Sequence, residues 1–374
     1  MTSGTTWHNV AAWRTRKHSL EHRRPAAAAL DVVAELCGLH AQLMSSAELT
    51  LHARVDGLAP DAVERALWQD RTLVKTWSMR GTLHLLPARE YPLWQAGFGT
   101  YQHYLKPLWF RNFHITAEEL DQLLAAVSES LDGRVLTRQQ LADEVAKASG
   151  SDAIGDKLRE SWGAYLKPAS FQGRLVFGPN EGQHVRFTRP DTWLDIDVPT
   201  GRPGVVEEIA LRFLATQGPA TREDFARWWG VKPADGGRVF AALGDRITPL
   251  DVDGQPHWVR VEDRDDLVAA EPVRTVRLLP AFDQYVVAAT RHADRLLHGG
   301  SLDRVYRPQG WLSPVLLVDG LLAGVWRHER KGKRLVVTIE PFRPVSASNR
   351  KSANAEIDRL VDLLGGQVEL EWLD

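Results

Sequence analysis

His40-Ala41-Gln42 sets an imidazole and a carboxamide two positions apart. In extended backbone such a pair projects to one side, roughly 6–7 Å apart along the chain; on a helix it would diverge by about 200°. An imidazole with an unperturbed pKa of about 6.5 can take a proton from water near neutral pH. A carboxamide oxygen can orient that water or face a developing positive charge. The pair is therefore equipped for hydrolysis through an activated water. By spacing alone a loop histidine is more often a surface or hydrogen-bonding residue, and both readings stand at this point. Cys37, three positions earlier, reads as a small packing residue, because nothing else in the chain suggests a thiol nucleophile. No metal and no cofactor are expected. His40, His52, His84 and His103 show no HExxH or other paired-ligand spacing, and a single cysteine leaves no Cys-based zinc site and no intrachain disulfide.

The elements around this motif must hold it extended. Ala26–Leu36 reads as a helix stopped at Gly38, and a second helix starts at Ser45, where Ser45 and Glu48 have capping-box spacing, and runs to a stop at Gly57. His40 and Gln42 fall between the two. Asp61–Gln69 supplies a third helix after Pro60, and Leu73–Trp77 and Thr82–Leu86 read as strands joined by Ser78-Met79-Arg80-Gly81. Three helices and a hairpin are the winged-helix plan. The plan recurs. Leu136-Thr137-Arg138-Gln139-Gln140-Leu141-Ala142 resembles Ala220-Thr221-Arg222-Glu223-Asp224-Phe225-Ala226, with a threonine cap in each. Amphipathic helices, Ala117–Leu131 and Val205–Thr216, precede them. Strand pairs follow them: Gly173–Phe177 with Gln183–Phe187, and Ile247–Val252 with Pro256–Val261. Beyond Leu267 the pattern turns β-rich: Val276–Leu279, Tyr285–Ala288, Val315–Val318, Leu321–Trp326, Leu335–Glu340 and Val368–Trp372 read as short strands, with one helix at Ala355–Leu364.

Composition is that of a folded, water-soluble chain: 374 residues, 44% hydrophobic and 25% charged, which argues against disorder and for more than one compact unit. The longest apolar runs, such as Pro314–Val318 and Leu321–Trp326, are far short of a membrane span, and the start lacks a signal-peptide pattern. A cytoplasmic protein without membrane contact is expected. The net charge of −2 hides a polarised distribution. Arg291–Lys351 carries twelve Lys/Arg against five Asp/Glu, and Ser352–Asp374 six acidic residues against Arg359 alone. Such polarity can present a cationic face to phosphates, although solvated surface charge reads the same way. Most of the fourteen tryptophans, Trp228 and Trp229 among them, sit in apolar patterns that suit a core.

Three segments, Thr76–His84, Gly173–Asn180 and Leu278–Tyr285, resemble the bacterial AlkZ/YcaQ-type winged-helix DNA glycosylases, in order and over most of the chain. The resemblance implies an α+β fold of three tandem winged-helix motifs plus a C-terminal β-barrel-like domain around a concave DNA channel. The boundaries would fall at 1–105, 106–198, 199–268 and 269–374. It implies a monofunctional glycosylase acting on N7-alkylguanine in double-stranded DNA, working as a monomer in DNA repair. The family's signature is commonly Gln-x-Gln or Gln-x-Asp. His40-Ala41-Gln42 stands in its place, a variant of branches tied to self-resistance against DNA-alkylating natural products, and it points to bulky adducts or crosslinks. His40 and Gln42 are then the catalytic pair. Arg80, Thr82 and His84 at the first hairpin, Lys167, Gln172 and Arg174 at the second, and Asp283, Gln284 and Tyr285 are the candidate DNA-facing residues. Asp283 has three readings: it orients His40, binds a base edge, or pins an arginine. The rival reading is a non-catalytic winged-helix transcription regulator, which tandem helix-turn-helix units support equally well.

Overall fold

The computed structural model describes residues 4–199 and 201–373. The chain divides into two compact units: a continuous one, Val63–Ile209, and one joining the stretch up to Ala62 with that from Ala210 onward.

In the continuous unit, Thr116 opens the Ala117–Ser130 helix with a complete capping box: its hydroxyl accepts the Glu119 amide at 3.1 Å and its own amide donates to the Glu119 carboxylate at 2.8 Å. The Thr137 box predicted from sequence forms as well, with Gln140, at the head of Arg138–Ser149. Asp152–Phe171 follows, then an antiparallel pair, Val176–Glu181 with His184–Thr188. The first of these strands runs further into the turn than the expected Gly173–Phe177, with a register shift between Gly178 and Glu181. Leu120, Leu124, Leu141, Val145, Leu158 and Phe187 are buried beneath this helix-helix-helix-hairpin series, each such side chain stabilising the fold by about 1.5–3 kcal/mol. The earlier hairpin, Leu73–Trp77 against Leu83–Pro87, matches its expectation within a residue.

In the second unit a further series runs Val205–Gln217 (whose first turn belongs to the continuous unit), Arg222–Trp229, Pro233–Leu243 and the hairpin of Ile247–Val252 with Gln255–Arg260. Thr221 caps it with Asp224 in the reciprocal role, amide to carboxylate 2.8 Å. The β-rich C-terminal region is a five-stranded sheet in the order Val276–Leu279, Val315–Val318, Leu321–Lys331, Arg334–Pro341, Gln367–Trp372. All its pairings are antiparallel except the last, where the Ala347–Leu364 helix makes the crossover a parallel pair requires. Alternation decides the faces. Leu316, Val337 and Ile339 pack with Ala353, Ile357 and Leu360 of that helix, whereas Val315, Leu317 and Leu322 pack with Trp7, Val10 and Trp13 of the N-terminal helix.

Two expectations are overturned. Ser45 caps nothing: the helix is Met44–His52, Leu43 stands at its N-cap without a side-chain bond, and Ser45 already lies in the first turn. Gln284–Ala289, read as a strand from Tyr285, is a helix, because the Asp283 carboxylate accepts the Tyr285 amide at 2.9 Å and caps it. One cap outweighs the strand preference of adjacent valines at 286 and 287.

Candidate active site

The Ala29–Glu35 helix ends in two successive left-handed residues, Cys37 at φ 59° and Gly38 at φ 92°, with the Gly38 amide returning to the Val33 carbonyl at 2.9 Å. That reversal delivers Leu39–His40 as extended chain, and the extended stretch ends there: Gln42 lies in a bend, so the extended reading holds for His40 and not for the whole motif. His40 is buried, and its ring stacks on Phe282 with centroids 4.7 Å apart and planes 11° from parallel. Gln42, two residues on, is exposed just ahead of the Met44–His52 helix. The imidazole is thus supported across one face by a phenyl ring, and the carboxamide stands at the surface.

What supports the support is a buried knot around Asp283. Its two oxygens accept from both terminal nitrogens of Arg54, at 2.7 and 2.8 Å, and neither side chain is exposed at all. Arg54 Nη1 also donates to the Thr50 carbonyl, 2.9 Å. Of the three readings of Asp283, the arginine clamp is the one found. Gln284 donates its side-chain amide to the Gly38 carbonyl, 2.7 Å, tying the capped helix to the turn that presents His40. Tyr285 gives its hydroxyl to the Gly320 carbonyl, 2.7 Å, and burial, above all, pushes that hydroxyl up to about 12. His18 lies edge-on to Tyr285, held well below the usual histidine range by burial and then by Arg54 and Arg14. The three residues read as DNA-facing, Asp283, Gln284 and Tyr285, are at most 2% exposed. Their polar atoms are turned inward, which corrects that expectation: they hold the loop and offer no surface to DNA.

A family model described as DNA glycosylase AlkZ-like matches residues 33–363. The chain belongs to the AlkZ-like DNA glycosylases. This glycosylase is 35% identical over 359 residues to an interstrand DNA cross-link repair glycosylase of Streptomyces sahachiroi, covering 93% of this chain and 95% of that one. Its structure resembles the solved Streptomyces sahachiroi DNA glycosylase AlkZ with a TM-score of 0.88 and 33% identity, over 99% of this chain and 100% of the other. The α+β reading holds, and membership decides for an N-glycosylase acting on DNA over the winged-helix regulator. No helix among the described residues is long and apolar enough to cross a membrane.

The glycosylase's other predicted residues lie in the continuous unit. Arg80 is exposed at the hairpin tip in left-handed backbone, φ 58°. Gly81 beside it, φ 69°, leaves room that Lys167 occupies: a Cβ there would stand 3.6 Å from the lysine Cδ. Burial draws the Lys167 ammonium below its ordinary range, and burial followed by Lys106 and Lys167 does the same to His103. Arg80, Lys106 and Lys167 therefore form a cationic corner. Thr82 turns its hydroxyl back to the Met79 carbonyl, 2.9 Å, and His84 is buried with Nδ1 3.2 Å from the Thr82 carbonyl, so both serve the hairpin itself. Gln172 donates to the Tyr104 hydroxyl at 3.3 Å, and Arg174 is half-buried. In the second unit the basic run falls on the outer end of the hairpin of Leu321–Lys331 with Arg334–Pro341, where Arg327, Arg330, Lys331 and Arg334 are exposed.

Sequence reasoning missed Arg54 and Trp311. Nothing local marks a buried arginine whose partner is 229 positions away. Trp311, half-exposed, meets Phe282 edge-on at 5.0 Å; the signal was there in a tryptophan following Pro308-Gln309-Gly310, a turn and not an apolar pattern. Spacing also gave no hint that Asp224, His257 and His292 bring ligand-type atoms within 4.8 Å of one another. The Asp224 carboxylate there is already bonded to Thr221 and to His292, 3.0 Å, and faces Arg291 at 3.5 Å. The cluster reads as a hydrogen-bonded knot pinning the Thr221 cap.

Proposed function

We propose that this glycosylase hydrolyses the N-glycosidic bond of N7-alkylguanine in duplex DNA, with His40 and Gln42 as its catalytic residues and bulky or cross-linking adducts as its targets. The observation that carries the reading is the rigid presentation of His40 in extended backbone, stacked on Phe282 and latched through Gln284 to Gly38. Buried polar groups that fix a short extended segment are the kind of support a catalytic side chain needs to hold its geometry.

The chemistry suits these groups. An N7-alkylguanine is cationic, so it departs as a neutral base without protonation. The C1′–N9 bond breaks with its electron pair going to the base, and the sugar takes oxocarbenium character. Water oxygen then bonds to C1′ and its proton passes to the His40 imidazole. The Gln42 carboxamide oxygen orients that water or faces the cationic sugar. Cross-link repair, in the printed name of the Streptomyces sahachiroi relative, supports the bulky-lesion reading. Arg80, Lys167 and Arg174 supply phosphate contacts, Thr82, His84 and Gln172 shape the hairpins that carry them, and the chain acts as a monomer.

The test is free base released from duplexes carrying a simple or a bulky N7-alkylguanine, with duplex binding recorded separately. Wild type releases base; His40→Ala and Gln42→Ala bind but release none. Release that survives both substitutions discards this active site, and no release from any N7 adduct discards the substrate.

A further inference from the structure

A cavity of about 560 Å³ opens in the second unit beside the His40 loop. It is lined by Leu43 and Ser46, one and four residues after Gln42, and by Pro280 and Ala281, which directly precede Phe282. Trp311, Trp326 and His328 line it as well. Trp326 is fixed by its indole N–H, which donates to the Leu279 carbonyl at 2.8 Å, and His328 stacks on it with centroids 5.5 Å apart and planes 28° from parallel. Trp311 is 44% exposed and completes a row of rings, His40 on Phe282 on Trp311. Arg304, Arg307 and Arg327 also border the space, the first paired with Glu340 at 2.6 Å.

Resting on the N7-alkylguanine reading above, we propose that this cavity receives the alkyl substituent of the lesion, and that it selects planar aromatic substituents, with Trp311 as the stacking residue. Three features of the space lead there. Its volume is that of a drug-sized ligand pocket, about 300–1,000 Å³, so a methyl group would leave most of it empty while fused rings would fill it. Trp311 and His328, both exposed and the latter backed by buried Trp326, offer ring faces on which flat apolar groups stack. Its arginines complement the phosphates that must flank any lesion in DNA. The same two chain segments build the cavity and hold His40, so a substituent lodged there registers its base against the catalytic pair.

The test uses two duplexes, one with N7-methylguanine and one with an N7-guanine bearing an anthracenylmethyl group. Single-turnover base release is measured against enzyme concentration for wild type, Trp311→Ala, Trp311→Phe and His328→Ala. Trp311→Ala should raise the half-saturating concentration for the anthracenyl lesion about tenfold more than that for N7-methylguanine, and Trp311→Phe should recover most of that difference. Equal losses on both lesions, or a fall in the maximal rate alone, would make Trp311 a prop for Phe282 and overturn the proposal. Anthracene emission on binding to His40→Ala, which needs no turnover, keeps the two readings apart. An emission change that disappears in His40→Ala/Trp311→Ala supports the cavity even if no base is ever released, and one indifferent to Trp311 refutes it.

Discussion

Arg54 and Asp283 meet in a bidentate pair, 2.7 and 2.8 Å, with both side chains wholly out of water. A pair so placed is strongly coupled: losing one member strands the other in a medium that solvates it poorly. Arg54→Met should therefore lower unfolding free energy by about 3–5 kcal/mol, read from urea denaturation. Arg54→Met/Asp283→Leu should recover part of that loss, since no charge is then stranded. A single variant within about 0.5 kcal/mol of wild type, the range of ordinary surface substitutions, would contradict this account.

If His40 is catalytic as proposed, Gln284 acts on the reaction through its bond to Gly38. Gln284→Leu keeps the volume but removes the donor to the Gly38 carbonyl, so the turn that presents His40 loosens. The maximal single-turnover rate should fall roughly tenfold, as a misplaced catalytic group implies, with duplex affinity unchanged. Equal losses in rate and affinity would mean that Gln284 serves the fold alone.

These two predictions rest on relationships that sequence could not show, and the reason is distance along the chain. The Thr137 and Thr221 caps were legible because a capping box lies within four consecutive residues. Ser45 looked the same and failed, because the chain entering at Leu43 had already begun the helix. Tyr285–Ala288 looked like a strand because its pattern is apolar and β-branched, and the deciding group, the Asp283 carboxylate, sits two residues before it. Spacing showed what His40-Ala41-Gln42 could do, and only the family resemblance chose that reading over an ordinary loop histidine. The Phe282 stack and the Gln284 latch behind it join positions more than two hundred residues apart, for which one sequence carries no signal.

Acid should loosen the Thr221 cap. Burial alone would raise the Asp224 carboxyl, but the bond and charge of His292, together with Thr221, outweigh it and bring it down to about 2, against an ordinary 3.8. A depressed carboxyl contributes stability that is full above its unfolded value and is lost as pH falls from about 4 toward 2. The contribution is about 2 kcal/mol. Asp224→Asn should be less stable than wild type at pH 6, with the difference shrinking at pH 3 and below; urea midpoints across that range check it. A gap that is constant with pH would remove the carboxylate from the explanation.

Salt dependence reports on the cationic corner of the continuous unit. Arg80→Ala and Lys167→Ala should each reduce the slope of log affinity against log salt by roughly 1. Base release at saturating enzyme should hold, because neither residue is assigned to the chemistry. Fluorescence anisotropy with an undamaged duplex at several salt concentrations measures this. Unchanged slopes in both variants would move the phosphate contacts elsewhere, the exposed tip between the Leu321–Lys331 and Arg334–Pro341 strands being the next place to look.

The second compact unit is interrupted: its first portion ends at Ala62, and its remainder begins only at Ala210. On the ribosome this becomes a matter of timing. His40 emerges early, but Phe282 and Gln284 follow only after the entire Val63–Ile209 stretch has been made, which at ~5–20 residues per second is a delay of roughly 10–50 s. Throughout that interval the imidazole has neither its phenyl backing nor its latch. A nascent or prematurely terminated chain thus carries the proposed hydrolytic motif without the means to aim it.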